Sequence, residues 1–275
     1  VMLYDDKIAS YSSITEAINR RYAANHGYDL VAVRKRVSTR DPQWDCVKVV
    51  EVLMNDKEIS KNHEWFFWID SDAAFAKHEI DLFKKLNSTG KNFVICDDSP
   101  NKGSSAKNNG IQVNTGTFGF KNTPWSRNFT SLWWNSPFGK EKIRYHEQDA
   151  INTLYDRKTM DLHKNIKILD AEDMNSKFGS LDGISPADTF VVHMMAKPTD
   201  ARISRFLNLL RATKKKGSNR PDHVIDNPDH FYANIASVEE KSKLNYTFWL
   251  LGFILLFLIV ILTYRIILSK NKAKR

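Results

Sequence analysis

The chain has 275 residues, 42% hydrophobic and 27% charged, which supplies apolar material for one large folded domain and excludes disorder throughout. Eleven Gly, eight Pro and two Cys exclude a collagen-like repeat and a disulfide-stapled miniature. Five of the charges behind the net +9 sit at one end, on Arg265, Lys270, Lys272, Lys274 and Arg275; the other 36 basic residues nearly balance 32 acidic ones, so no nucleic-acid partner is implied.

Residues 1–210 alternate short apolar runs with helical patterns, the order that builds an α/β domain with a mostly parallel sheet flanked by helices. Val1 to Tyr4 reads as a first strand. Ser13-Ile-Thr-Glu16 has the form of a capping box opening a helix that Gly27 ends. Asp29 to Val33 predicts a second strand and Val47 to Met54 a helix after Pro42. Trp65-Phe-Phe-Trp-Ile69 predicts a strand buried on both faces. A helix follows over Ile80 to Leu86 and a strand over Phe93 to Cys96. Asn101 to Gly110 is polar and reads as a loop, and Gln112 to Phe120 as a strand. Pro124 to Trp134 and Glu147 to Tyr155 suit helices, Ile166 to Leu169 and Phe190 to His193 strands, and Pro198 to Arg211 a last helix. Cys46 and Cys96 either pair or stay free, and Asn87-Ser-Thr and Asn128-Phe-Thr fit the glycosylation pattern.

The last part of the chain differs in kind. From Leu244 to Tyr264, 21 residues run without a charge, roughly 32 Å as a helix and enough to cross a bilayer. Tyr246, Trp249 and Tyr264 lie near the ends of that run, and the basic cluster follows it. The expected organisation is a catalytic domain over 1–211, a linker or stem over 212–243, a transmembrane helix over 244–268 and a basic tail over 269–275. The positive-inside rule puts the tail in the cytosol and the bulk of the protein in the ER or Golgi lumen. The first residue is Val and no signal-peptide pattern follows, so a lumenal domain needs an export signal upstream; the alternative is a cytosol-facing tail anchor.

In open α/β sheets, ligands bind beyond the carboxyl ends of the strands. Asp70-Ser71-Asp72 occupies that place directly after the apolar strand. Two carboxylates one residue apart repel each other, and a divalent cation relieves the repulsion. A hydrophobic strand ending in Asp-x-Asp also opens haloacid-dehalogenase-like phosphatases, but those place it near the chain start and carry Thr or Val where Ala74 stands here.

Five blocks in order resemble glycosyltransferase family 34, the galactosyl-, mannosyl- and xylosyltransferases of Golgi glycan and xyloglucan synthesis, which have the GT-A fold. They are Arg21 to Leu30, Glu64-Trp-Phe-Phe-Trp-Ile-Asp-Ser-Asp-Ala73, Val113-Asn-Thr-Gly-Thr-Phe118 with Trp125-Ser126, Glu147-Gln-Asp-Ala150, and Phe190-Val-Val-His193. The resemblance covers roughly residues 1–210 and says nothing of the C-terminal anchor, which departs from the N-terminal one that such enzymes usually carry.

The resemblance implies that Asp70, Asp72 and His193 hold Mn²⁺, with Mg²⁺ as the alternative, on the diphosphate of a UDP- or GDP-linked sugar. Taken alone, His193 reads as a core histidine bonded to backbone. The resemblance also implies that Lys197 neutralises the departing diphosphate, where the bare reading is a solvated lysine. Gln148, with Glu147 or Asp149, would lie by the donor sugar; without the resemblance these residues complement a helix N-terminus. Asn114 would meet sugar hydroxyls and Gly116 would leave room for the sugar at the backbone. Tyr4, Asp5 and Ser71 are further substrate candidates, and Trp44 or Lys48 candidate flanks of the nucleoside pocket. Asp97-Asp98 reads first as a solvated turn. The implied activity is retaining transfer of a sugar to a glycan hydroxyl; the alternative is a catalytically silent membrane-anchored protein binding a glycan or another partner.

Overall fold

The computed structural model describes residues 1–98, 112–137, 146–177 and 189–213. In chain order the main elements are β1 (Met2–Leu3), α1 (Ala9–His26), β2 (Ala32–Val33), α2 (Asp45–Asn55), α3 (Lys57–Ser60), β3 (Trp65–Ile69), β4 (Ala73–Phe75), α4 (Leu82–Asn87) and β5 (Phe93–Asp97). There follow β6 (Val113–Lys121), α5 (Pro124–Asn135), α6 (His146–Asp156), α7 (Leu162–Asn165), β7 (Ile166–Leu169), α8 (Ala171–Met174), β8 (Ser176–Lys177), β9 (Val191–His193) and α9 (Thr199–Ala212).

The sheets are mixed rather than mostly parallel. The four-stranded sheet has the order β3-β6-β5-β7, and β6 runs antiparallel to both β3 and β5. Among the described residues, parallel pairing is confined to β1 with β2, β5 with β7, and β8 with β9. β1 adjoins the larger sheet, because the Ile69 N–H donates to the Val1 carbonyl at 2.9 Å. A small second sheet, β4-β9-β8, follows the Asp-x-Asp turn. A sequence of alternating strands and helices does not show that β6 folds back against β3, because antiparallel and parallel strands buried on both faces have the same apolar pattern.

Alternate residues of the central strands feed two cores. Phe67 and Ile69 of β3 and Val94 and Cys96 of β5 pack with Met2, Tyr22, Phe75 and Leu86. On the other set of positions, Phe93, Phe118 and Phe120 meet Phe129 and Trp133 of α5, with Phe93 stacked on Phe120 at 4.1 Å. Burial of such rings contributes about 1.5–3 kcal/mol per side chain. A third cluster, with Ile18, Ala74, Val192, Met194 and Phe206, joins α1 and α9 to the small sheet.

Helix α1 begins at Ala9 and has no side-chain cap, so Ser13 and Glu16 do not form the expected capping box. Glu16 is taken up instead by Tyr4, Arg20 and Arg34, and those partners hold its carboxyl below the ordinary value against the opposing effect of burial. Gly27 ends the helix at φ 72°, a left-handed conformation that glycine adopts without strain. Asp81 and Thr123 cap α4 and α5. Cys46 and Cys96 are both buried and free. Among the described residues no helix is long and apolar enough to cross a membrane. The expected loop at 101–110, the linker beyond 213, the span at 244–268 and the tail at 269–275 lie outside the described residues.

Candidate active site

The backbone after β3 is held from the side by α1. Thr15 Oγ1 donates to the Ser71 carbonyl at 2.7 Å, Asn19 Nδ2 donates to the Ala73 carbonyl at 3.1 Å, and Asn19 Oδ1 accepts from the Phe75 N–H. This fixes the Asp70-Ser71-Asp72 turn without using the two carboxylates. β4 then pairs antiparallel with β9 so that Ala73 faces His193, and the Met194 N–H donates to the Asp72 carbonyl. The pairing brings residues more than a hundred positions apart into one site.

His193 Nε2 lies 3.0 Å from Asp72 Oδ1 and 3.6 Å from Asp70 Oδ2. One ligand atom from each of the three residues falls within a span of 4.8 Å. Asp70 Oδ1 accepts from the Trp68 indole at 2.8 Å, and Asp72 Oδ2 pairs with Arg202 at 2.9 Å. Burial and the neighbouring Asp72 push the Asp70 carboxyl up, opposed by His193 and Trp68. Its side chain is 39% exposed, so solvent screening moderates that rise. Burial would raise Asp72 too, but His193 and Arg202 outweigh it and hold Asp72 below the ordinary value. Burial opposes charge on His193, and the two carboxylates outweigh it, so the imidazole is raised. In this arrangement a protonated imidazole supplies the positive charge that the acidic pair requires. Two carboxylates and a neutral imidazole form an N/O donor set that fits Mn²⁺, and the imidazole makes it less suited to Mg²⁺, which prefers oxygen.

Behind the triad is a buried amide chain. His193 Nδ1 lies 2.8 Å from Asn175 Oδ1, Asn175 Nδ2 donates to Asn114 Oδ1 at 2.7 Å, and the Gly116 N–H donates to the same Asn114 oxygen at 2.8 Å. Asn114 Nδ2 in turn donates to Asp98 Oδ1. The pairing of β5 with β6 shifts register between Ile95 and Cys96, which frees Thr115 and Gly116 from β5; the Gly116 carbonyl accepts from the Asp70 N–H. A Cβ on Gly116 would lie 2.5 Å from His193 Nδ1 and nearer still to Cε1. The room at Gly116 therefore holds the imidazole of His193, not the sugar that the sequence reading placed there.

Helix α6 approaches the freed Thr115. Gln148 Oε1 accepts from the Thr115 N–H at 3.2 Å, and Glu147 Oε1 accepts from the Thr115 hydroxyl at 2.7 Å. Glu147 Oε2 is buried without a partner, and burial pushes this carboxyl up to about 8, helped by the charges of Asp70 and Asp149. Asp149 is partly exposed on the same helix.

Other candidates lie apart from the triad or serve the fold. Tyr4 is buried, and its hydroxyl donates to Glu16 and accepts from Arg34, so it is not open to a nucleoside in this arrangement. Asp5 accepts from the Lys7 N–H through Oδ1. Ser71 is fixed through its carbonyl. Trp44 and Lys48 are both buried: Trp44 packs edge-on against Trp134, and Lys48 pairs with Glu51. Lys197 is exposed on the turn after Ala196, whose φ is 54°. Three residues of the site were assigned no role from the sequence: Trp68, which lies within one of the matching blocks, and Asn175 and Arg202, which carry no motif. Only the position of Trp68, two residues before the first Asp, offered a signal in the sequence. A cavity of about 590 Å³, lined by Tyr28, His63, Trp65, Phe67 and Ile69 among others, runs along β3 without including Asp70, Asp72 or His193 in its walls.

A mixed α/β fold with an acidic couplet at the end of a buried strand, closed by a histidine from a later strand, is of the GT-A-like glycosyltransferase class. The chain belongs to the galactosyl transferase GMA12/MNN10 family, whose model matches residues 7–197. It is 27% identical over 162 residues to the probable alpha-1,6-mannosyltransferase MNN10 of Saccharomyces cerevisiae, covering 50% of this chain and 40% of that protein. The fold is similar to a solved glycosyltransferase involved in the glycosylation of the major capsid of PBCV-1. There the TM-score is 0.58 at 16% identity, covering 75% of this chain and 98% of that one.

Proposed function

We propose that this protein transfers a sugar from a UDP- or GDP-linked donor to a glycan hydroxyl, with retention at the anomeric carbon and with Mn²⁺ bound by Asp70, Asp72 and His193. The observation that carries the reading is the convergence of those three side chains at the end of β3 in a chain of this family. When bound, the cation supplies charge neutralisation to the donor diphosphate.

The chain's own residues do the rest. Asp70 is oriented by the Trp68 indole, and Asp72 by Arg202, so both carboxylates are fixed before any ligand arrives. Gln148 lies against the Thr115 backbone at the mouth of α6, where it would orient the donor sugar together with Asn114. Glu147 is held protonated by its burial, which leaves Asp149 as the more accessible carboxylate of the pair flanking Gln148. Lys197, exposed just after β9, would meet charge that develops on the leaving diphosphate, an interaction strongest in the transition state.

The domain over 1–211 is proposed to be followed by a stem over 212–243, a membrane-spanning helix over 244–268 and a cytosolic tail over 269–275, with the catalytic domain in the ER or Golgi lumen. The uncharged run and the basic cluster after it support that placement. Protease protection in sealed microsomes distinguishes it from a cytosol-facing tail anchor.

The test of activity is incubation of the purified protein with UDP- and GDP-sugars and Mn²⁺, scoring both donor hydrolysis and transfer to mannosyl, galactosyl and glucosyl oligosaccharides. Turnover of one donor, lost in Asp72→Ala, is expected. A folded protein inert toward the whole set supports the silent binding alternative, and full activity in Asp72→Ala removes the role given to the metal.

A further inference from the structure

The hydrogen-bond polarity of the chain behind His193 follows from one backbone group. The Gly116 N–H can only donate, and it points at Asn114 Oδ1 at 2.8 Å, which fixes which end of the Asn114 amide is oxygen. The Asn175 atom facing that oxygen at 2.7 Å must then be a donor, its Nδ2. Its Oδ1 is therefore the atom that faces His193, 2.8 Å from Nδ1, and an amide oxygen only accepts. The other end of the same amide agrees with this orientation, since Asn114 Nδ2 donates to the Asp98 carboxylate.

We infer that Asn175 is a positioning residue that holds a proton on Nδ1 of His193, so that Nε2 is the atom that gives up its proton to a divalent cation between Asp70 and Asp72. Asn175 is 1% exposed and His193 3%, so water does not substitute freely for either partner. The ring's Cε1 and Nδ1 edge fills the space that a Cβ on Gly116 would take. Metal-binding histidines generally donate their other N–H to an acceptor that sets ring orientation and basicity, and loss of that acceptor weakens metal binding about 10–100-fold. In this chain the acceptor is a side-chain amide, itself aligned through Asn114 by the strand that runs beside Asp70. The tautomer is thus written into the backbone of β6.

The part concerning the cation rests on the metal reading proposed above; the proton assignment does not. Two measurements separate them. In metal-free protein the ring also carries a proton on Nε2 toward Asp72, so ¹H–¹⁵N spectra of the histidine side chains, with His193 assigned by the signals lost in His193→Gln, are read at Nδ1, the nitrogen that faces Asn175. We expect a slowly exchanging Nδ1–H in the native chain, its loss in Asn175→Ala, and its retention in Asn175→Asp, which keeps the acceptor. Free Mn²⁺ measured by electron paramagnetic resonance should show affinity at least tenfold weaker in Asn175→Ala than in the native chain, with Asn175→Asp nearer the native value. If the native chain binds no Mn²⁺ while the Nδ1–H pattern holds, the metal reading fails and the positioning of His193 stands. An Nδ1–H unchanged in Asn175→Ala, or Mn²⁺ affinity unchanged in that variant, overturns the inference; thermal unfolding and circular dichroism confirm that the variants compared are folded.

Discussion

The imidazole of His193 occupies the space that a side chain at residue 116 would need: a Cβ there would come within 2.5 Å of Nδ1. Glycine at this position is required by a neighbouring side chain rather than by backbone conformation. Gly116→Ala should therefore push the ring off the acidic pair. The expected cost is about 1–3 kcal/mol of stability in urea unfolding, as for overpacked cores, with a larger proportional loss of transfer activity. An alanine variant with native stability and activity would show that the ring has room to move.

Asp72 joins both the histidine and Arg202, so its charge has two partners. Asp72→Asn should lower Mn²⁺ affinity at least tenfold by titration calorimetry, and chelation of the native enzyme should abolish transfer until Mn²⁺ is restored. Undiminished turnover after exhaustive chelation counts against a metal-assisted reaction.

Glu147 titrates at about 8 when folded, against 4.5 for the ordinary group. The folded chain thus keeps a proton that the unfolded chain releases between these values, and stability falls as pH rises through that window, by up to about 1.4 kcal/mol per pH unit. Below 4.5 both states are protonated and the contribution is fully present. Glu147→Gln should flatten the decline, so that the difference between variant and native chain grows in the variant's favour from pH 5 toward pH 8. Parallel curves from urea unfolding at a series of pH values contradict this.

Lys48 and Glu51 form an ion pair inside α2, 3.1 Å apart and nearly free of solvent. Lys48→Met alone strands a buried carboxylate and should cost about 3–5 kcal/mol, while the double variant Lys48→Met with Glu51→Leu should recover most of the loss. The double-mutant cycle measures the coupling directly; additive losses would show that the pair contributes through packing alone.

The legible part of the molecule was what adjacent residues decide. Trp65 to Ile69 followed by Asp70 marks a buried strand ending in an acidic turn, and that turn is half of the site. The helices at Pro124 and Thr199 were readable from proline near their starts and apolar spacing. His193 was recognisable only through the resemblance, because a histidine closing a three-residue apolar run has many bland explanations. Asn175 and Arg202 were invisible: each acts through partners from 8 to 130 positions away, and nothing in their neighbourhood marks them. β4 escaped notice because Ala73-Ala-Phe75 is too short and too plain to signal a strand, yet its pairing with β9 is what closes the site. The capping-box reading of Ser13 failed for the same physical reason: Glu16 found stronger partners in Tyr4 and Arg34.

The closing contribution of β9 also gives the site a timetable. During synthesis, Asp70 and Asp72 leave the ribosome well before His193, and the ladder that unites Ala73 with His193 cannot form until the last strand has been made. A nascent chain thus carries only the acidic half of the site, and the third side chain joins it only when nearly the whole domain is present.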